Sequence, residues 1–485
     1  MPASQKSRKR KPSKSGKNRT SLLEHKKVGS ELRPAFSQFE GEVIFSHWSD
    51  ERLPEILWAA VIRVIQDQNY AISEFRRVID FVRNHDKKEE LSDLSLTGIS
   101  KLNVPLRDEF LSFLLSNPIT ASALTVLLIF EYLPAKTTWA KYLPNTEPDI
   151  NIIMMAIGMC IPHQSQEATD CRWLVAMVSV VTGKLRGPRE FIEPLFNYPD
   201  EGDLRIIRPT IRTLEMALKS ENEQNLVWSK NFWNEAWEIS PCLELVKSAS
   251  TLPLEPYCTR EKVEALRYQL EQHWENTHLT TAIDAKHDCV FGIAFYSLTI
   301  LEELLQSEVR SGILARLGLR TVLESYISLN YMVLKDDKEL WKKWRTYGAG
   351  QAKLNALKFD EFVESPEFIN NDTLESIACE DVWEEFINIE LGSWSGLDLR
   401  KISELAGVKD DYDKYYSWTS TYTHATWGAV REACFTTCGN PLHRLHRYPH
   451  KSKLPDTLYD ACVLVDKILS TLNKCYPTFE FRFFD

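Results

Sequence analysis

Residues 316–334 read RLGLRTVLESYISLNYMVL. Arg316, Arg320, Glu324 and Ser328 recur at steps of four. Leu317, Leu319, Val322, Leu323, Ile327 and Leu329 fill the neighbouring positions. That period predicts a helix with core on two sides and a polar stripe between them. A half-buried Arg and Glu one turn apart must pair, because an isolated buried charge is far more costly. Arg320 and Glu324 are therefore candidates for a polar layer inside a helix bundle. An ordinary intrahelical salt bridge explains the same spacing.

The flanking sequence extends the helical reading. Between Tyr257 and Asn440 there is a single proline, Pro366. A long proline-poor stretch with a 3.6-residue period predicts long packed helices. The expected segments are 260–275, 282–305, 308–334 with a break near Ser311–Gly312, 338–357, 372–390, 398–406, 411–438 and 455–474. Pro241, Pro253 and Pro256 mark a boundary before them. Upstream, LPEILWAAVIRVIQDQ from Leu53 opens a second helical series punctuated by prolines such as Pro118, Pro134, Pro188 and Pro199. Glu55, Trp58 and Arg63 on its first helix read either as a polar pocket or as a cap, a packed indole and a solvated charge. The expected fold class is all-α, with two helical domains at 40–245 and 255–485.

Charge is unevenly spread. The chain of 485 residues carries −10, yet residues 1–20 hold eight Lys or Arg and no acid. Removing those eight charges leaves the other 465 residues at −18. Residues 1–30 are expected to be a disordered basic tail, since little there can bury a core. It serves either as a polyanion-binding segment or as a solubilising leader. An acidic body offers no general attraction for a phosphate backbone, so any nucleic-acid contact must be local. The longest apolar runs are near a dozen residues, against roughly 18 or more for a membrane span. Ten cysteines without paired spacing suit reduced thiols in a cytoplasmic protein.

Residues 411–431, DYDKYYSWTSTYTHATWGAVR, carry the second motif. Read as one helix, they place Tyr416, Ser420 and His424 on a single face, with Arg431 two turns on. A serine nucleophile and its base on one helix leave little room for substrate. His424 is better read as a general acid/base or phosphate ligand held by Tyr416 and Ser420, or as a satisfied core histidine. Further on, CFTTCGNPLHRLHRYPH holds Cys434, Cys438, His443, His446 and His450. Spacings of C-x3-C, H-x2-H and H-x3-H are not a standard zinc arrangement, and no metal or cofactor is expected. Arg444, Arg447 and His450, with Tyr448, make the strongest local candidate for an RNA surface. Arg267/His273 and Arg444/His450 are R-x5-H spacings, close to the Arg-x4–6-His motif of HEPN ribonucleases. There Arg stabilises the scissile phosphate and His moves a proton.

Arg320–Leu334, the helix WKKWRTYGAGQ and the segment YYSWTSTYTHA together resemble a mostly bacterial family, domain of unknown function 5677. The resemblance runs from about Lys286 to Tyr476. It places the family's Arg-x3-Glu on Arg320/Glu324 and its Tyr-x3-Ser-x3-His on Tyr416/Ser420/His424. It implies an all-helical protein, with some members in defence or stress loci. Two functions stay open. One is a HEPN-like, metal-independent ribonuclease or phosphodiesterase, with His424, Arg320, Glu324, Tyr416 and Ser420 at its site. The other is a non-catalytic helical binding or sensor module. RNA, a second copy of the chain or a protein partner are the expected partners, and a membrane is not.

Overall fold

The computed structural model describes residues 26–33, 47–187, 189–218, 227–244, 255–359, 366–380, 387–444 and 446–484. The chain divides into two units. The first runs to Pro241 and includes Asn440–His443; the second holds Cys242–Gly439 and Arg444–Asp485. Residues 1–25 of the expected tail lie outside the described residues. Its last part is corrected: β1 (Lys26–Val28) and β2 (Glu31–Arg33) form an antiparallel pair. Among the described residues no single helix is long and apolar enough to cross a membrane.

The first unit is organised by α1 (Leu57–Ile65), α2 (Gln68–Asn84), α3 (Ile150–Cys160), α4 (Gln166–Val181), α5 (Leu204–Ala217) and α6 (Val227–Ile239). α1 is buried through Leu57 to Arg63 and packs against α2, α3 and α4. Capping sets the entries. Asp67 accepts the Tyr70 N–H at 2.8 Å to start α2, and Ser165 accepts the Ala168 N–H at 3.1 Å to start α4. Arg63, in the all-apolar face of α1, is tolerated because Asp170 on α4 receives its Nε at 2.7 Å. The Glu55/Trp58/Arg63 pocket does not form. Glu55 accepts from the Thr97 N–H (3.0 Å) and hydroxyl (2.7 Å), and Trp58 donates to the Leu94 carbonyl (2.8 Å). Each side chain follows its own nearest partner.

The second unit is a bundle of α7 (Arg260–Thr277), α8 (Ala285–Leu304), α9 (Ile313–Lys335), α10 (Lys338–Phe359), α11 (Lys409–Thr423), α12 (Trp427–Cys434) and α13 (Leu458–Cys475). β3 (Phe435–Thr437) and β4 (Arg447–Pro449) pair antiparallel beside it. α9 is the central helix and packs on α8, α11 and α13. It buries Leu319, Val322, Leu323, Tyr326, Ile327, Leu329 and Met332. Each such side chain is worth roughly 1.5–3 kcal/mol of burial. Gly318 lets α8 and α9 approach, since a Cβ there would lie 3.0 Å from the Ile300 side chain.

Two expected helices are corrected. The 372–390 segment is helical only over Asn371–Ala378 among the described residues, and 387–391 is not helical. The 411–438 helix stops at Thr423, restarts at Trp427 and gives way to a strand at Phe435. The stop is a C-terminal capping motif around Ala425, whose φ is +46°. Thr426 N–H donates to the Thr421 carbonyl (3.0 Å) and Ala425 N–H to that of Tyr422 (3.4 Å). Those two bonds satisfy carbonyls that a helix end would otherwise leave open.

Candidate functional site

The two motifs converge within the second unit. Arg320 on α9 extends across to α11. Its Nε donates to Glu324 Oε1 at 2.7 Å, one Nη to the Tyr416 hydroxyl at 3.0 Å and the other to Thr423 Oγ1 at 3.1 Å. The guanidinium carbon also lies 4.6 Å from the Tyr416 ring centre. These bonds use three of the five N–H donors of the group. Tyr412 stacks on Tyr416 with centres 4.5 Å apart, and burial beside it pushes the Tyr412 hydroxyl up from its ordinary pKa. Arg320 is mostly covered and Glu324 is 40% exposed. The ion pair alone is therefore worth at most about 1 kcal/mol.

His424 follows Thr423 directly, so its Cα lies about 3.8 Å further along the chain. It is the C-cap of α11 and is exposed. Its N–H donates to the Ser420 carbonyl at 3.2 Å. Among the described residues no hydrogen bond joins the His424 ring to Ser420 Oγ or to Tyr416. The Tyr416 hydroxyl is taken by Arg320 instead. Arg431 does not continue the face, because the chain turns at Ala425 before α12 begins.

Exposed aromatic residues flank the turn on both sides along the chain. Trp418 is 53% exposed and Trp427 60% exposed. Gly428 leaves room for the Trp418 ring, which a Cβ there would meet at 3.4 Å. On β4, the Arg447 guanidinium lies 5.6 Å from the Trp427 ring centre. Beneath, Tyr422 donates its hydroxyl to Glu432, and burial plus that carboxylate push it up to about 12. Arg316 sits 5.7 Å from the Tyr422 ring and donates to the Gly312 (3.1 Å) and Pro455 (2.5 Å) carbonyls. Trp418 packs edge-on against Tyr422, with ring centres 6.1 Å apart.

The remaining sequence candidates are spread out. Arg444 has a left-handed backbone (φ +42°), and His450 lies past β4 with its N–H on the Cys434 carbonyl at 2.7 Å. The Arg267/His273 spacing is structural. Glu302 takes Arg267 at 2.6 and 2.8 Å, and the buried His273 shares a hydrogen bond with the Tyr476 carbonyl. In the first unit, an open groove of about 780 Å³ is lined by Arg76, Arg77, Asp80, His85 and Glu109. Its charges are largely paired: Arg77 with Glu74, Asp80 with Arg83 and His85 with Glu109. The sequence reading missed Thr423, Trp418 and Trp427. Aromatic residues at helical spacing pass for core until the turn at Ala425 is known.

Residues 301–438 match the model of a family of unknown function, DUF5677. The match covers the Arg320-bearing helix and α11 with its turn, a narrower span than 286–476. No curated protein matches the chain, and no solved structure does.

Proposed function

We propose, from the part of the chain that matches DUF5677, that the turn between α11 and α12 binds single-stranded RNA and cleaves it. The observation that carries this reading is the exposed His424 in a turn flanked along the chain by Trp418 and Trp427, both with exposed indoles, and with Arg447 beside the second. Unpaired bases stack on such rings for roughly 1–3 kcal/mol each. Arg447 supplies local positive charge that the acidic body lacks. His424 acts as general acid/base, taking the 2′-hydroxyl proton as that oxygen attacks the adjacent phosphorus and the 5′-oxygen leaves. Arg320 holds developing phosphate charge with the N–H donors its protein partners do not use. Tyr416, Glu324 and Thr423 fix that guanidinium, and Ser420 precedes His424 by one turn. The protein would work in the cytoplasm, in a defence or stress response.

A second reading is favoured by the same Arg320, since three side chains already hold it. In it the face binds RNA without cutting it. Full-length protein with labelled single-stranded RNA separates the two. Trp418→Ala/Trp427→Ala should weaken binding by at least about 30-fold. His424→Ala should bind within about threefold of wild type and cleave about 100-fold more slowly. Equal cleavage by wild type and His424→Ala would remove His424 from the chemistry. Binding with no cleavage by either would establish the second reading, and no binding by wild type would end both.

A further inference from the structure

The hairpin that carries Arg447 also gathers sulfur and nitrogen ligands. β3 and β4 are in register from Phe435↔Pro449 to Thr437↔Arg447, and the Cys438 N–H continues the ladder onto the His446 carbonyl at 2.9 Å. Cys438 and His446 thus face each other at the open end of the hairpin. A third segment docks there. The Gly439 N–H donates to the Leu243 carbonyl at 2.7 Å, and the Leu243 N–H donates to Cys438 Sγ at 3.4 Å. That docking brings in Cys242, whose Sγ lies 3.6 Å from His446 Nδ1. The ligand atoms of Cys242, Cys438 and His446 all fall within 4.8 Å of one another.

We propose that Cys242, Cys438 and His446 bind a zinc ion. Zinc–sulfur and zinc–nitrogen bonds of about 2.3 and 2.05 Å at a tetrahedral angle put S and N about 3.6 Å apart. The Cys242–His446 separation has that value. Two thiolates and an imidazole suit zinc by softness and disfavour calcium or magnesium. A backbone N–H on Cys438 Sγ and the Tyr448 hydroxyl, 3.6 Å from the same sulfur, supply the outer hydrogen bonds that orient a thiolate ligand. The fourth position goes to water. The ion would tie the residue that opens the second unit to its hairpin, 196 positions along the chain.

The test is metal analysis of the full chain, purified with a reductant and without a metal-affinity step. About one zinc per chain is expected. Cys242→Ser and Cys438→Ser should each lower it at least about tenfold, while Cys434→Ser, on the exposed end of α12, should leave it unchanged. If the serine variants do not fold, thiol alkylation of the wild type gives the answer. Zinc should protect Cys242 and Cys438, and a chelator should expose both. The proposal is overturned by a chain that holds no zinc after incubation with an equimolar amount of the metal. It is equally overturned by equal alkylation with and without chelator, or by a disulfide joining Cys242 to Cys438.

Discussion

Asp170 has no solvent exposure and receives four side chains: Arg63 (2.7 Å), Gln68 (3.1 Å), Gln166 (2.6 Å) and the Tyr198 hydroxyl (2.5 Å). Removing the carboxylate leaves the buried Arg63 with only the more distant Glu167 carboxylate, 3.7 Å away. Asp170→Ala is expected to lower unfolding free energy by about 3–5 kcal/mol in denaturant titration. Glu55 makes an opposite contribution. Burial lifts its carboxyl from 4.5 to about 7, against the pull of its two Thr97 hydrogen bonds. The stability it confers is present below about pH 4.5 and is lost as pH rises towards 7. Glu55→Gln should remove up to about 3 kcal/mol of that loss, so the variant gains on wild type between pH 4.5 and 7.5. A gap between the two that does not change with pH would contradict this. Neither network was legible beforehand. Arg63 was readable as a polar residue on a helix, but its partner Asp170 lies 107 positions along the chain.

At the scale of the element, the decisive feature is the turn at Ala425. Alanine in the left-handed region carries a Cβ clash that glycine avoids. Ala425→Gly is expected to stabilise the second unit by about 0.5–1 kcal/mol, measured by thermal or denaturant unfolding. A loss of stability would mean that the turn is not adopted in solution. The same alanine explains why the break escaped the sequence. Tyr412–Arg431 has no proline and its only glycine, Gly428, comes after the stop, so helix appeared to run through. The α9 period, by contrast, was legible, because Leu319, Val322, Leu323 and Ile327 are core on the faces their spacing predicts. The break near Ser311–Gly312 was legible too, through its glycine.

At the scale of the whole chain, charge sets up a competition. Residues 1–20 hold eight basic side chains, while the remainder is strongly acidic. RNA affinity alone therefore cannot distinguish the Trp418/Trp427 face from the N-terminal lysines and arginines, whose contribution should fade steeply with salt. Stacking on indoles depends less on salt, so binding that survives high salt would point to the helical face. Composition could not reveal Cys242, which joins Cys438 and His446 only through the folded chain. The most direct measurement is photo-crosslinking of 4-thiouridine RNA to the full-length protein at elevated salt, with the sites mapped by mass spectrometry. Crosslinks at Trp418, His424, Trp427 and Arg447 are predicted. Crosslinks confined to residues 1–20, or to the first unit, would contradict the account.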